Sequence, residues 1–231
     1  MFFYFALFLS VSAHVGVGRH DHDGGSTGVP VPHPSAHLLR VIPPKTLNEK
    51  LLRAARDSFP LIEMKALLDA GASLTTQDPE NGFTPLHWLA NNAQDASALP
   101  TWMYFMSQNP LVDSRDNERA TPLHRAAMNN CLAFGELLLE FGADINARDK
   151  FGFTPLMYTA RFASVDTGLM LLEKGAFFYP ADKALQIKGS GELSPLHIAR
   201  DFVNENPRLD QLINALEIAM TSSTSSTTTE L

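Results

Sequence analysis

Cysteine and basic charge are both scarce in this sequence. A single cysteine among 231 residues excludes a disulfide within the chain, so cysteine usage does not indicate a redox compartment. The formal net charge of −7 argues against a nucleic-acid-binding protein, because such proteins usually carry a basic face. No Asn-X-Ser/Thr sequon occurs, so no glycosylation signal supports export.

Motifs of catalysis and metal binding are missing as well. The chain has no glycine-rich phosphate loop, no HExxH, no paired cysteines and no GxSxG. The run His20-Asp21-His22-Asp23 could ligate a transition metal, but its Gly/His/Pro-rich surroundings offer no supporting shell, which favours a solvated linker. Cys131 falls in a predicted loop with no predictable base beside it, which disfavours a reactive thiol. We therefore expect no catalytic, cofactor-binding or metal-binding residue.

The sequence does contain a phased repeat. Four segments begin with Thr or Ser, continue with Pro and Leu, and end with His or Met. A hydroxyl followed by proline predicts a helix start, because the hydroxyl caps free backbone N–H groups and proline fits the first helical position. Successive starts are 37 (121 − 84), 33 (154 − 121) and 40 (194 − 154) residues apart. The four segments are Thr84–His87, Thr121–His124, Thr154–Met157 and Ser194–His197.

A second element recurs downstream of these starts. Two leucines are followed, after two residues, by Gly-Ala, and an apolar helix that meets glycine is expected to end in a left-handed residue. Asn109 takes the place of this glycine in one unit, and asparagine also visits the left-handed region. The recurring segments are Leu67–Ala72, Leu138–Ala143 and Leu171–Ala176.

Together these motifs resemble the ankyrin repeat, whose period is about 33 residues and whose signature is T-P-L-H-x-A. The resemblance covers about residues 47–219 and implies an all-α solenoid of stacked helix–turn–helix units with hairpin loops. It also implies a structural role for His87, His124 and His197, which would bond neighbouring backbone across repeats. Met157 replaces the histidine in one unit, so those bonds are expected to be lost there.

About five repeats are expected, at residues 46–81, 82–118, 119–151, 152–192 and 193–219. The first would open on a capping box from Thr46 to Glu49. The second has four extra residues, placed between its helices near Asn92 to Pro100, and a bulky second helix containing Trp102–Met106, which we interpret as core. The fourth has seven extra residues after Gly175, and the last helix is predicted to run from Arg208 to Ala219.

Residues 1–13 form an apolar run that is too short to span a bilayer, which takes about 20 residues. Small residues at Val11–Ala13 offer a cleavage site, so a signal peptide is predicted, with a secretory or periplasmic location. An uncleaved interfacial anchor or a wrongly assigned start codon, with a cytoplasmic protein, are the alternatives.

The two remaining segments are interpreted as disordered. Residues 14–45 form a His/Gly/Pro-rich linker, and residues 220–231 form a Ser/Thr-rich tail. Thr229, Glu230 and Leu231 resemble a C-terminal ligand of PDZ domains, a match that three residues often reach by chance.

The resemblance implies that partners dock on the hairpin tips and on the face of each first helix. Phenylalanines at these positions need not be apolar for folding, and aromatic residues are enriched in interface cores. The alternative is that one or two of them pack beside Phe177, Phe178 and Tyr179. The predicted partner-binding residues are Glu80, Asn81, Phe83, Asn91, Asn92, Asn117, Glu118, Met128, Asn129, Lys150, Phe151, Phe153, Arg161 and Phe162.

The function expected from this pattern is a non-catalytic protein–protein interaction module that presents a concave surface, most simply as a monomer with no stable membrane span. Changing Phe151 and Phe153 to alanine is predicted to abolish partner capture without altering the melting transition. Other hypotheses are an accessory subunit that stabilises or inhibits an enzyme, a cytosolic scaffold with a PDZ ligand, and a substrate for asparagine hydroxylation at Leu138–Asn146. An enzyme with an unrecognised site is a further alternative.

Overall fold

The computed structural model describes residues 44–92, 98–177 and 194–225. The predictions for the N-terminal run, the His-rich linker, the long hairpin after Phe177 and the last six residues lie outside these ranges. Within them the chain is all-α, as predicted, with ten helices and no strand. The helices are α1 (Pro44–Arg56), α2 (Leu61–Asp69), α3 (Pro85–Asn92), α4 (Leu99–Ser107), α5 (Pro122–Met128), α6 (Leu132–Glu140), α7 (Pro155–Phe162), α8 (Val165–Glu173), α9 (Pro195–Phe202) and α10 (Leu209–Ser225).

The helices form five consecutive pairs that stack side by side. The first helices pack in a row, α1 on α3, α3 on α5, α5 on α7 and α7 on α9. Second helices also pack on one another, as α2 on α4, α6 on α8 and α8 on α10. Each pair therefore buries its apolar face against its neighbours, as a solenoid requires. No helix in the described ranges has both the length and the apolar character to cross a membrane.

Three of the five residues in the bulky run of α4 belong to this core, as predicted, whereas Met103 is 48% exposed and Tyr104 is half-buried. Trp102, Phe105 and Met106 are almost completely buried, and the Trp102 ring lies 5.0 Å from the ring of Phe134 in α6. The extra residues of this repeat were predicted near Asn92 to Pro100, and residues 93–97 of that stretch lie outside the described ranges; the flanking helices end at Asn92 and begin at Leu99.

The repeat motif starts the helices in the predicted way. Thr154 Oγ1 accepts a hydrogen bond from the backbone N–H of Met157, and Ser194 Oγ does the same for His197. Proline follows each cap at the first helical position, where no backbone N–H is needed. Helix α1 differs, since it begins at Pro44 and places Thr46 within its first turn rather than at the expected cap.

The predicted left-handed residues end the second helices. Gly71, Gly142 and Gly175 have φ of 98°, 86° and 87°, and Asn109 has φ of 53°. The last helix was predicted too short. It continues through Ser225, six residues (225 − 219) beyond the expected end at Ala219, because the apolar pattern that set the prediction stops before the helix does.

Two of the three motif histidines, His87 and His124, connect successive repeats, which confirms their structural role; among the described residues His197 pairs only within its own repeat, so the prediction is wrong for it. His87 Nδ1 accepts the backbone N–H of Thr84 (3.2 Å), so Nε2 carries the proton and donates to the carbonyl of Ala120 in the next repeat (3.1 Å). His124 is bonded in the same way to Thr121 (3.1 Å) and to the carbonyl of Phe153 (3.0 Å).

Burial lowers the pKa of His87 and of His124 to about 4, although the backbone carbonyl each ring meets acts in the opposite direction. Both rings are therefore neutral at physiological pH, as the bonding pattern requires. His197, in the last repeat, is exposed and pairs through Nδ1 with Ser194 of its own repeat (2.7 Å).

Cys131 is buried at the start of α6, and burial raises the pKa of its thiol. A buried thiol with a raised pKa is the opposite of a reactive one.

Candidate functional site

Two of the hairpin tips are shaped by a buried aspartate at the base of the loop. Asp116 Oδ1 accepts the backbone N–H groups of Glu118 (2.8 Å) and Ala120 (2.9 Å). Asp149 Oδ1 accepts those of Phe151 (2.8 Å) and Phe153 (2.9 Å). These bonds fix the backbone of the tip, so the exposed side chains there are free of any role in forming the turn.

Neighbouring tips are joined edge to edge. The backbone N–H of Asn117 donates to the carbonyl of Asn81 (3.0 Å), and its side-chain amide donates to the carbonyl of Glu80 (3.2 Å). The backbone N–H of Lys150 donates to the carbonyl of Glu118 (2.8 Å), and Lys150 Nζ lies 3.3 Å from Glu118 Oε1. The five predicted tip residues Glu80, Asn81, Asn117, Glu118 and Lys150 thus form one continuous row.

The predicted asparagines of the first helices are also tied to one another. Asn129 Nδ2 donates to Asn91 Oδ1 of the preceding repeat (3.3 Å). Asn92 Nδ2 donates to the carbonyls of Ala55 and Arg56 at the end of α1. Asn92 therefore helps to hold the first repeat in place, and the row of asparagines stiffens the helix face.

Phe83 does not belong to an exposed patch, which corrects the expectation from the sequence. Only 7% of its surface is accessible. Its ring stacks on His87 (5.5 Å), meets Trp88 edge-on (4.9 Å) and lies under the Arg125 guanidinium (4.5 Å). A ring enclosed on these sides is needed for packing, so Phe83 is not available as a binding anchor.

The other three phenylalanines differ in exposure. Phe153 is half-buried with its ring 6.3 Å from that of Tyr158, and its carbonyl receives the bond from His124, so it supports the fold. Phe151 and Phe162 are 54% and 43% exposed. Phe177 is exposed as well, whereas Phe178 and Tyr179 lie outside the described residues.

A cavity of about 310 Å³ lies between the third and fourth repeats. Two hairpin tips and the first helices α5 and α7 form its walls. Six of the residues predicted to bind a partner line it, together with three that the prediction missed, Arg125, Asp149 and Tyr158. The lining residues are Glu118, Arg125, Met128, Asp149, Phe151, Phe153, Tyr158, Arg161 and Phe162.

Two of the missed residues, Arg125 and Tyr158, could have been found from the repeat itself. The position that follows the TPLH or TPLM motif holds Trp88, Arg125 and Tyr158 in three successive repeats. A large side chain recurring at one position of a first helix indicates a column of side chains along the stack. In the structure these side chains reach back to the tips, where Arg125 meets Asp116 and Tyr158 meets Asp149.

Charged groups in and beside the cavity have polar partners among the described residues, with the exception of Arg161. Arg125 lies 2.5 Å from Asp116 Oδ2 and 3.9 Å from Glu118 Oε2. The Tyr158 hydroxyl donates to Asp149 Oδ2 (3.0 Å), and burial together with that carboxylate raises the pKa of Tyr158, so the hydroxyl stays protonated. Groups of three His, Cys, Asp or Glu side chains suited to a metal ion are absent from the described part of the chain.

A family model described as ankyrin repeats (3 copies) matches residues 51–149 and 102–182, which together make up more than half of the sequence. The chain belongs to the ankyrin-repeat family. Ankyrin repeats generally mediate protein–protein interaction and are generally non-enzymatic. Their stacked units create extended concave binding surfaces, and the cavity described above lies between two such units.

Similar ankyrin proteins occur in very different organisms. An ankyrin repeat protein of Rickettsia bellii is 32% identical over 54% of this chain and 47% of its own length. The serine/threonine-protein kinase VIK of Arabidopsis thaliana is 48% identical over 30% of the chain and 15% of its own length. The human neurogenic locus notch homolog protein 2 is 36% identical over 48% of the chain and 4% of its own length. The chain therefore spans less than half the length of these relatives.

Proposed function

We propose that this ankyrin-repeat chain is a non-catalytic protein-binding module whose partner docks on the cavity between the third and fourth repeats. Phe151 and Phe162 act as its anchors. The observation that carries the proposal is the placement of two half-exposed phenylalanine rings on the wall of a cavity of about 310 Å³. Exposed apolar clusters on soluble proteins usually mark interaction sites.

Folding does not require an aromatic residue at Phe151. Asp149 fixes the tip through the backbone N–H of Phe151, which any residue other than proline supplies. The ring itself contacts Lys150, whose Nζ lies 4.8 Å from the ring centroid, and is otherwise half in solvent. An apolar ring that the fold does not use is best explained by a partner that covers it.

Rigidity of the walls supports the same function. The tips are joined by a backbone hydrogen bond, and the His124 bond joins α5 to the segment that leads into α7. The asparagine pair holds the end of α5 to α3 of the preceding repeat. A surface that is already ordered loses little conformational entropy when a partner binds, which favours affinity.

Crosslinked affinity capture with the full chain tests the proposal. The wild type, the double variant Phe151→Ala with Phe162→Ala, and the control Phe141→Ala are compared in native cells. Phe141 suits as a control because it is 43% exposed, as is Phe162, but does not line the cavity.

We expect the double variant to lose specific partners and the control to keep them, since truncating a central anchor costs about 2 kcal/mol or more of binding free energy. Unchanged melting of both variants shows that the fold is intact. Equal capture by the double variant and the wild type means that the partner docks elsewhere.

A further inference from the structure

The cavity between the third and fourth repeats offers free hydrogen-bond donors but no free carboxylate acceptor. Asp116 and Asp149 each accept two backbone N–H groups with one oxygen, and the other oxygen meets Arg125 or the Tyr158 hydroxyl. Glu118 is engaged by Lys150 at one oxygen and approached by Arg125 at the other.

Two arginines of the same cavity have donors to spare. Arg125 Nε is buried and has no hydrogen-bond partner in the described part of the chain. Arg161 is exposed and forms no ion pair with any described residue. A buried donor without a partner is unfavourable, but Arg125 Nε is inaccessible, so the cation that a ligand can reach directly is Arg161. The groups of the cavity that lack a partner are therefore positively charged hydrogen-bond donors.

The apolar part of the cavity adds a size requirement. The exposed rings of Phe151 and Phe162 line it, with Met128 and the half-buried Phe153. Its volume of about 310 Å³ lies near the lower limit for ligand pockets, about 300 Å³, which suits one large apolar side chain better than an extended peptide stretch.

Arg161 and Phe162 are adjacent in sequence, and the Arg161 guanidinium lies 5.9 Å from the Phe162 ring. The unpaired positive charge of Arg161 and the apolar ring of Phe162 thus lie side by side. A ligand that uses both must carry an acidic group close to its apolar group.

We propose that the partner enters this cavity with a protein segment in which a bulky apolar side chain lies next to a carboxylate. This rests on the proposed function and names the chemistry of the partner. The apolar side chain packs on Phe151 and Phe162, and the carboxylate pairs with Arg161. Arginine suits this role because its planar donors match a carboxylate with two parallel bonds. A basic segment would bind less well, because the carboxylates of the cavity already have hydrogen-bond or ion-pair partners within the chain.

Selection from a phage-displayed library of random linear peptides against the full chain tests the proposal. Enriched peptides are synthesised, and their affinities are measured by fluorescence polarisation. The variants are Phe151→Ala, Phe162→Ala, Arg161→Gln and Arg161→Lys. The controls are Phe141→Ala and Arg53→Gln, which alters an exposed arginine of α1 that does not line the cavity. Circular dichroism checks that every variant is folded.

We expect the peptides to share Asp or Glu beside Trp, Phe, Leu or Met. Phe151→Ala or Phe162→Ala should weaken binding about tenfold or more, as for an interface hot spot. Arg161→Gln should weaken peptide binding about fivefold, and Arg161→Lys should weaken it less. Added salt should also weaken binding to the wild type, because the ion pair between Arg161 and the peptide carboxylate lies near the surface. The two controls should change nothing.

Two results overturn the proposal in different ways. Peptides that need both phenylalanines but contain no acidic residue and ignore Arg161→Gln refute the acidic partner and leave the proposed docking site standing. Peptides that ignore Phe151→Ala and Phe162→Ala, or a selection that enriches no peptide, refute the docking site itself.

Discussion

Changing His124 to alanine should destabilise the stack strongly, because this ring joins the third repeat to the fourth. His124 Nδ1 accepts the backbone N–H (3.1 Å) and the hydroxyl (2.9 Å) of Thr121, and Nε2 donates to the carbonyl of Phe153 (3.0 Å). Its ring also meets Tyr158 edge-on at 5.1 Å.

Each buried hydrogen bond contributes about 1 kcal/mol, and an aromatic pair contributes about another 1 kcal/mol. The free energy of unfolding should therefore fall by about 4 kcal/mol, a large part of the total for a domain of this size. The same change at His197 is the control, because that ring is exposed and pairs with Ser194 of its own repeat. It should cost about 1 kcal/mol.

Urea denaturation followed by far-UV circular dichroism measures both changes. Equal losses for His124→Ala and His197→Ala would refute the reasoning, since only the first removes a bond between repeats. A loss of less than about 1 kcal/mol for His124→Ala would mean that the bond is replaced, for example by water.

Three further predictions concern stability. Because the pKa values of His87 and His124 are about 4 when folded and about 6.5 when unfolded, the unfolded chain takes up protons first as the pH falls. Lowering the pH from 7.5 to 5 should therefore reduce the free energy of unfolding by about 4 kcal/mol for the two rings together. Urea titrations at each pH measure this loss, and a free energy that does not change with pH would contradict the burial of the two rings. Gly82→Ala should lower the melting temperature more than Gly71→Ala. Both residues have positive φ, but a Cβ on Gly82 would lie 2.7 Å from the backbone nitrogen of Asn117, whereas Gly71 has open space. Phe153→Ala should lower the melting temperature and Phe151→Ala should not, because only the Phe153 ring packs against the fold; the reverse order would contradict the assignment.

This last prediction replaces part of the expectation drawn from the sequence. The double change of Phe151 and Phe153 cannot separate binding from folding, since Phe153 packs on Tyr158. Phe151 with Phe162 is the better pair, because both rings are exposed on the cavity wall whereas Phe153 is half-buried. The Phe162 ring also lies 5.8 Å from that of Tyr158, so the melting transition of Phe162→Ala is measured by itself.

The sequence predicts the repeat and its structural residues well, because both depend on local signals. Thr154 caps its helix as expected, Asn109 adopts the left-handed conformation, and His87 bonds the next repeat. Each of these follows from a residue type at a fixed position in the motif, and the stacking of similar units repeats the geometry.

The details of the site depend on how one repeat is placed on the next, which motif positions do not encode. Phe83 is buried because Arg125 of the following repeat covers its ring. Tyr158 lines the cavity and reaches Asp149 at the tip. These contacts need the spacing between repeats, so only a recurrence of large residues at one position could have indicated them.

The roles proposed for the terminal segments are still predictions. A signal peptide, with export to the secretory pathway or periplasm, predicts a mature N-terminus at His14, whereas a cytoplasmic protein keeps Met1. Mass spectrometry of the captured chain distinguishes the two. Cytoplasmic partners would favour the PDZ-ligand and hydroxylation hypotheses, and a change in activity of a captured enzyme would favour an accessory subunit.

Site-specific photocrosslinking tests the docking site most directly. A photoreactive phenylalanine analogue replaces Phe151 in one protein and Phe141 in another, so that each carries one reactive ring at an exposed position. The cavity account predicts a crosslinked partner from position 151 and none from position 141. A partner crosslinked from position 141 and absent from position 151 would contradict it.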